Sequence, residues 1–261
     1  MLVSNLLKSQ SVDHLSVNVY SSEFELALGA AQIVREYLMN ILDQQTEARI
    51  LLATGNTQIQ FLDALIALGG VDWSRLVLFH LDEYLGIKAE NTASFCYYLR
   101  ERVEKKVKPK QFHYIKGDAT EPLTECDRYA NLLKTQPIDL CFLGIGQNGH
   151  IAFNEPSVAN FNDPHWVKLV KLEESTQQIQ VKQGYFPNLD AVPQYAYTVT
   201  IPTILSSKKI ICLASGINKA GIVKTALEEE ITVSYPVSIL RRHQNAHLFL
   251  DAHSASLLQN R

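Results

Sequence analysis

The sequence predicts an α/β fold built on a mostly parallel sheet. Three observations carry that prediction. Short apolar runs alternate with amphipathic stretches along the chain, as repeated βα units require. The run over 138–143 is strongly apolar, as a strand covered on both faces should be. No linker, internal repeat or low-complexity tract interrupts the pattern, so residues 1–261 read as a single domain.

Each element has a local cause. Ser22 starts a first helix, with Glu25 three residues on completing a capping box. Ala30, Val34, Tyr37, Leu38 and Ile41 then share one face. Residues 50–53 form a strand, and Thr54-Gly55-Asn56 a turn. Thr57 with Gln60 makes a second capping box, opening a helix that buries Phe61, Leu62, Leu65 and Ile66. The strand at 76–80 stops at Asp82-Glu83. Phe95, Tyr98, Leu99 and Val103 mark a helix, 112–115 a short strand, and 122–134 a polar helix. After the strand at 138–143 come strands at 195–200 and 210–214 and a helix over 218–228. The tail holds an apolar segment at 237–240, a strand at 246–250 and a short terminal helix. In open α/β sheets ligands bind beyond the carboxyl ends of the strands. The loops after Ala53, His80, Leu143 and Ala214 are therefore where chemistry is expected.

Composition removes several classes of function. Lys and Arg number 24 against 27 Asp and Glu, and the signs are interspersed. A net charge of −3 gives no global attraction to nucleic acid or to an anionic membrane. The longest uncharged stretch, 191–207, contains two prolines and several hydroxyl residues, which excludes a membrane-spanning helix. Residues 1–10 carry no basic leader, and Cys96, Cys126, Cys141 and Cys212 form no CxxC pair. These features point to a cytoplasmic protein with free thiols.

The loops differ in what they offer. Thr54-Gly55-Asn56-Thr57 puts a glycine and two hydroxyls at a helix N-terminus, a place that favours an anion. Lys219 lies in the first turn of a helix, where a cation makes sense if an anion sits between it and the dipole. Asp82 and Glu83 point to different sides of the chain, which leaves one of them free to act as a general base. The bland readings are a ligand-free capped turn, a solvated lysine and solvated turn acids. Residues 144–149 match GxGxxG, but Pro156 limits any helix behind them, so a nicotinamide site is rejected. His150, with Glu155 and Asn148 nearby, suits acid–base work near neutral pH. No second His or Cys stands at metal-ligand spacing, so no metal is expected.

Leu52-Ala53-Thr54-Gly55, Leu81-Asp82-Glu83-Tyr84 and the thirteen residues from Gly144 to Pro156 together resemble the glucosamine-6-phosphate deaminases. That family shares a fold group with the 6-phosphogluconolactonases, and aminosugar isomerases acting on galactosamine 6-phosphate are similar. The resemblance spans nearly the whole chain. It implies a modified doubly wound, Rossmann-like sheet with helices on both faces. It implies that Asp82 moves the proton between C2 and C1, and that His150 opens the sugar ring. Glu155 and Asn148 are its implied supports. Some members have Asp at position 148, so His150 here should lean more on Glu155. Thr54, Gly55, Asn56, Thr57 and Lys219 fall where the family holds the substrate phosphate. An arginine expected near Gln177 is absent, which leaves two alternatives, Lys182 as its stand-in or a looser phosphate pocket. The implied reaction is aldose–ketose isomerisation with loss of ammonia, without metal or redox cofactor. The partner is a small sugar phosphate, not nucleic acid or membrane, and a homo-oligomer is one allowed assembly. A lactonase reading and a sugar-phosphate sensor compete. The continuation Phe153-Asn154-Glu155-Pro156 argues against the first, and intact Asp82, His150 and Glu155 against the second.

Overall fold

The computed structural model describes residues 4–259. Part of the segment read as leaderless, residues 1–3, lies outside them. Its remainder is a strand that the sequence pattern did not show. β1 (Leu6–Val12) and β2 (Leu15–Tyr20) pair as an antiparallel hairpin across Asp13, which sits at φ 49°. Asp is one of the few non-glycine residues that accept this conformation at low cost.

Ser22 caps α1 (Glu23–Gln44) by accepting the Glu25 N–H. The Glu25 carboxylate does not close the capping box. It accepts instead from the Asn5 N–H at 2.8 Å, tying the first hairpin to the helix. Leu26, Ala30, Val34, Leu38 and Leu42 recur every four residues along the buried face. β3 (Ala48–Leu52) is buried throughout. The next helix, α2 (Asn56–Leu68), begins one residue earlier than expected. Gly55 is its N-cap at φ 104°, and no side chain caps it. The capping box of Thr57 and Gln60 therefore does not form, because Thr57 is already inside the first turn.

β4 (Leu76–His80) does not end in a solvated turn. The chain leaves the main sheet and enters a second one as β5 (Asp82–Tyr84). α3 (Phe95–Leu99) continues through a π-helical turn, Arg100–Glu104, into α4 (Lys105–Val107). β6 (Gln111–Phe112) is shorter than its apolar pattern implied. α5 (Pro122–Lys134) starts with proline, whose missing N–H costs nothing in a first turn. β7 (Leu140–Gly144), β8 (Val167–Lys171) and α6 (Glu174–Lys182) follow. Neither β8 nor α6 was expected. α6 buries only Thr176, so it carries no apolar stripe to be read. Then come β9 (Tyr195–Val199), α7 (Ile201–Leu205), β10 (Ile210–Ala214), α8 (Ala220–Glu228) and β11 (Ala246–Asp251). The segment at 237–240 lies within a 3-10 stretch, Pro236–Arg242, and the terminal residues to 259 run in turns rather than a helix.

The main sheet has eight strands in the order β1-β2-β11-β10-β7-β3-β4-β6, parallel except for the β1–β2 pair. β3, β4 and β10 are buried at every position, so both faces of the sheet are covered. From β3 the next strand of this sheet, β4, lies to one side, and from β7 the next, β10, lies to the other. The crevice between these neighbours is the topological switch point of a doubly wound sheet. The second sheet, β5-β9-β8, is antiparallel. The segment at 195–200, read as a strand, forms the centre of this small sheet as β9. The sheet holds Asp82 beside the loop that follows β7. Phe153 N–H donates to Thr198 Oγ1 at 3.1 Å, and Asn154 Nδ2 donates to Val199 O at 2.9 Å. Tyr84 packs on Phe153 with ring centroids 5.5 Å apart.

Candidate active site

A cavity of about 320 Å³ opens at the switch point. Its walls are the loops after β3, β7 and β10, the start of β5, the approach to α3, and one side of α6. Thr54, Gly55, Asn56, Thr57, Asp82, His150 and Lys219 all line it. Asn148 and Glu155, the implied supports, do not reach it and stand behind His150.

The adjacent acids Asp82 and Glu83 have separate fates because a strand sends neighbouring side chains to opposite faces. Glu83 anchors the start of α3. It accepts from Ser94 Oγ at 2.7 Å, from the Cys96 N–H at 2.9 Å and from the Phe95 N–H at 3.1 Å. Asp82 faces the cavity, only 7% exposed, and its carboxyl makes no hydrogen bond to the described residues. The alternative reading of both acids as solvated turn residues is not met. Burial, and secondarily the charge of Glu83, pushes Asp82 well above the usual carboxylate range. That moves it toward the pH at which a general base works best.

His150 sits over Gly146. Any side chain at Gly146 would run into the imidazole. Gly146→Ala is expected to displace the ring and to lower turnover while sparing the fold. Measured kcat and Tm check this, and unchanged kcat would show that the ring position is not critical. Burial, with the nearby charge of Lys219, lowers the His150 pKa to about 4 against the opposing pull of Glu173. His150 is therefore neutral at physiological pH. Its main-chain N–H donates to Asn148 Oδ1 at 3.2 Å. Nδ1 lies 3.7 Å from Glu155 Oε1, too far for a hydrogen bond. Glu155 is fully buried and already occupied by the Thr176 hydroxyl and by the Glu173 N–H at 2.6 Å. The leaning of His150 on Glu155 is thus proximity without a shared proton.

At the other end, Gly55 exposes the N-terminus of α2 to the cavity. The turn is fixed by Tyr98, whose hydroxyl donates to Gly55 O at 2.9 Å, and by Tyr185, whose hydroxyl donates to Asn56 Oδ1 at 2.9 Å. Lys219 Nζ donates to Ile145 O at 2.5 Å, and burial lowers its pKa to about 8, so it is cationic at neutral pH. Lys182 is exposed and does not line the cavity, so it does not take the place of the absent arginine. Gln180 and Gln183 do reach the wall, as do Ser94, Tyr98 and Tyr185. Sequence reasoning missed all five. Four of them sit on polar or irregular segments, and Tyr98 was legible only as part of the apolar face of α3; packing turns all five toward the cavity. Residues 144–149 run into turns and not into a helix, so they lack the context of a dinucleotide fingerprint.

The chain matches the family model described as glucosamine-6-phosphate isomerases/6-phosphogluconolactonase over residues 21–249. It belongs to that family. Among curated relatives, the glucosamine-6-phosphate deaminase of Streptococcus suis is 34% identical over 245 residues, covering 94% of this chain and 100% of that one. The deaminase of Lactobacillus delbrueckii subsp. bulgaricus is 36% identical over 209 residues, covering 80% and 86%. A solved structure of a monomeric glucosamine-6-phosphate deaminase superposes with a TM-score of 0.85 at 34% identity, covering 92% of this chain and 99% of that one. The 6-phosphogluconolactonase of Trypanosoma brucei superposes at 0.75 with 18% identity, covering 97% and 100%, and shares the fold. In the isomerase/lactonase family the α/β architecture and largely parallel sheet of this chain are the common frame.

Proposed function

We propose that this chain is an aminosugar-phosphate deaminase that converts glucosamine 6-phosphate, or its galactosamine epimer, and water into a ketohexose 6-phosphate and ammonia. The observation that carries the reading is one cavity walled by a buried carboxyl, a neutral imidazole and an anion-binding turn with a lysine. Full-length relatives named as deaminases support it.

The phosphate lies against the N-terminus of α2 and Lys219, where backbone N–H groups and a cation converge. Neutral His150 relays the proton from the anomeric hydroxyl to the ring oxygen, which opens the sugar. Asp82 as carboxylate then takes the C2 proton, and an enolamine forms as the C1 oxygen gains a proton. Return of a proton to C1 leaves an imine at C2. Water adds to that carbon and ammonia departs, leaving the ketone. No step needs a metal or an electron carrier.

The deciding measurement is ammonia release from glucosamine 6-phosphate and galactosamine 6-phosphate. Ammonia from neither would overturn the reading and return the lactonase alternative. Lys219→Ala is expected to raise KM by roughly 10- to 150-fold, the loss of a charged hydrogen bond worth about 1.5–3 kcal/mol. An unchanged KM would place the phosphate elsewhere.

A further inference from the structure

Two carboxylates stand behind His150, and their surroundings differ. Glu155 is fully buried and its oxygens are taken by Thr176 and by the Glu173 N–H. Glu173 is half-buried at the N-cap of α6 and lines a separate shallow depression with Lys171, Glu174 and Asp190. One of its oxygens accepts from the Ser157 N–H at 3.2 Å, and the other from Asn148 Nδ2 at 3.0 Å. The opposite end of the same Asn148 amide accepts the main-chain N–H of His150. A continuous path, Glu173 to Asn148 to the main-chain N–H of His150, thus joins a carboxylate outside the cavity to the loop that carries the imidazole.

We propose that Glu173 is a positioning residue for ring opening, fixing the His150 loop through Asn148 and supplying the negative charge that balances the imidazolium. This rests on the ring-opening role proposed for His150. An amide at position 148 can bridge a carboxylate and an N–H donor at once, whereas a carboxylate there would face Glu173 with like charge. The other charges on His150 are Lys219, which opposes its protonation, and neighbouring Glu155. Burial raises Glu173, but the hydrogen bonds from Ser157 and Asn148 and the proximity of His150 outweigh it. Glu173 is held below the ordinary range, whereas burial raises Glu155. Of the two, Glu173 is therefore the carboxylate that keeps its charge to lower pH.

The test compares wild type, Glu173→Gln and the exchanged pair Asn148→Asp/Glu173→Gln, with ammonia release from the cyclic sugar phosphate as readout. Glu173→Gln keeps size and one acceptor oxygen but loses the charge. It should lower kcat roughly ten- to a hundredfold with KM within about twofold, the scale on which supporting partners act. An open-chain analogue should be turned over at the wild-type rate. By nitrogen NMR of labelled histidine, the His150 ring should titrate at lower pH than in wild type, since removing a negative charge disfavours imidazolium. The exchanged pair reverses the polarity of the bridge and should recover most of the lost kcat. Unchanged kcat in Glu173→Gln, an equal loss on the open-chain analogue, or an exchanged pair no better than the single variant would overturn the proposal. Should Glu173→Gln fail to fold by Tm, a folded exchanged pair with kcat tenfold or more below wild type overturns it alone. If wild type releases no ammonia, the proposed function fails instead.

Discussion

Replacing Asp82 by Asn is expected to abolish ammonia release and exchange of the C2 proton with solvent deuterium together. Asparagine keeps the shape of the side chain and removes the base. General acid–base groups contribute about 10²–10⁴-fold, so the loss should be plain in a rate assay. The carboxyl lies on the cavity wall with no hydrogen bond to the described residues, and burial raises its pKa well above 3.8. The sign of the pH dependence follows. The base works only when ionised, so kcat/KM should fall as pH drops through this raised value. The acid limb of the wild-type profile should thus lie above the ordinary carboxylate range and disappear with the residual activity of Asp82→Asn. Retained C2 exchange in the variant would move the role to another group. Glu83 is a poor candidate, since Ser94 and the first N–H groups of α3 already occupy it.

His150→Gln is expected to produce the second large loss, of the same order, but selectively. Turnover of the cyclic sugar should fall far more than turnover of an analogue that cannot cyclise. The imidazole is neutral above a pKa of about 4, lowered by burial and by Lys219, so it is ready to accept a proton at physiological pH. Its own protonation should therefore not limit the rate between about pH 5 and 8, the range in which an unperturbed histidine would titrate. A variant that loses solvent exchange at C2, while Asp82→Asn keeps it, would show that the two roles are reversed.

Lys219→Ala stands apart from both, because its effect falls on KM. The three variants separate binding from the two proton transfers. That separation is available because Asp82, His150 and Lys219 come from different loops around the switch point.

What could be read in the sequence was whatever depends on contiguous residues. β3, β4, β7 and β10 are apolar runs because both faces are covered, and such runs announce themselves without partners. The loops that follow them carry Thr54, Gly55, Asp82, His150 and Lys219, and the rule that ligands bind at the carboxyl ends of strands gathers those residues into one place. Glycine-rich turns and N-caps are equally local, which is why Ser22 and the start of α1 were legible.

The environments of the same residues were decided by tertiary structure alone. Asp82 and Glu83 are neighbours in sequence, yet only pairing of β5 with β9 and docking of α3 assign one to the cavity and the other to a helix N-terminus. The hairpin β1–β2, the strand β8 and the polar helix α6 lacked a pattern. β2 and β8 are placed by pairing with β11 and β9, far away in the chain, while β1 and α6 bury too few side chains to leave a pattern. α6 and its C-cap bring Gln180 and Gln183 to the cavity, and Glu173 at its N-cap position is 25 residues beyond the Asn148 to which it bonds. Burial and charge pairing set the protonation states on which the chemistry depends, and both are sums over neighbours that no stretch of sequence contains.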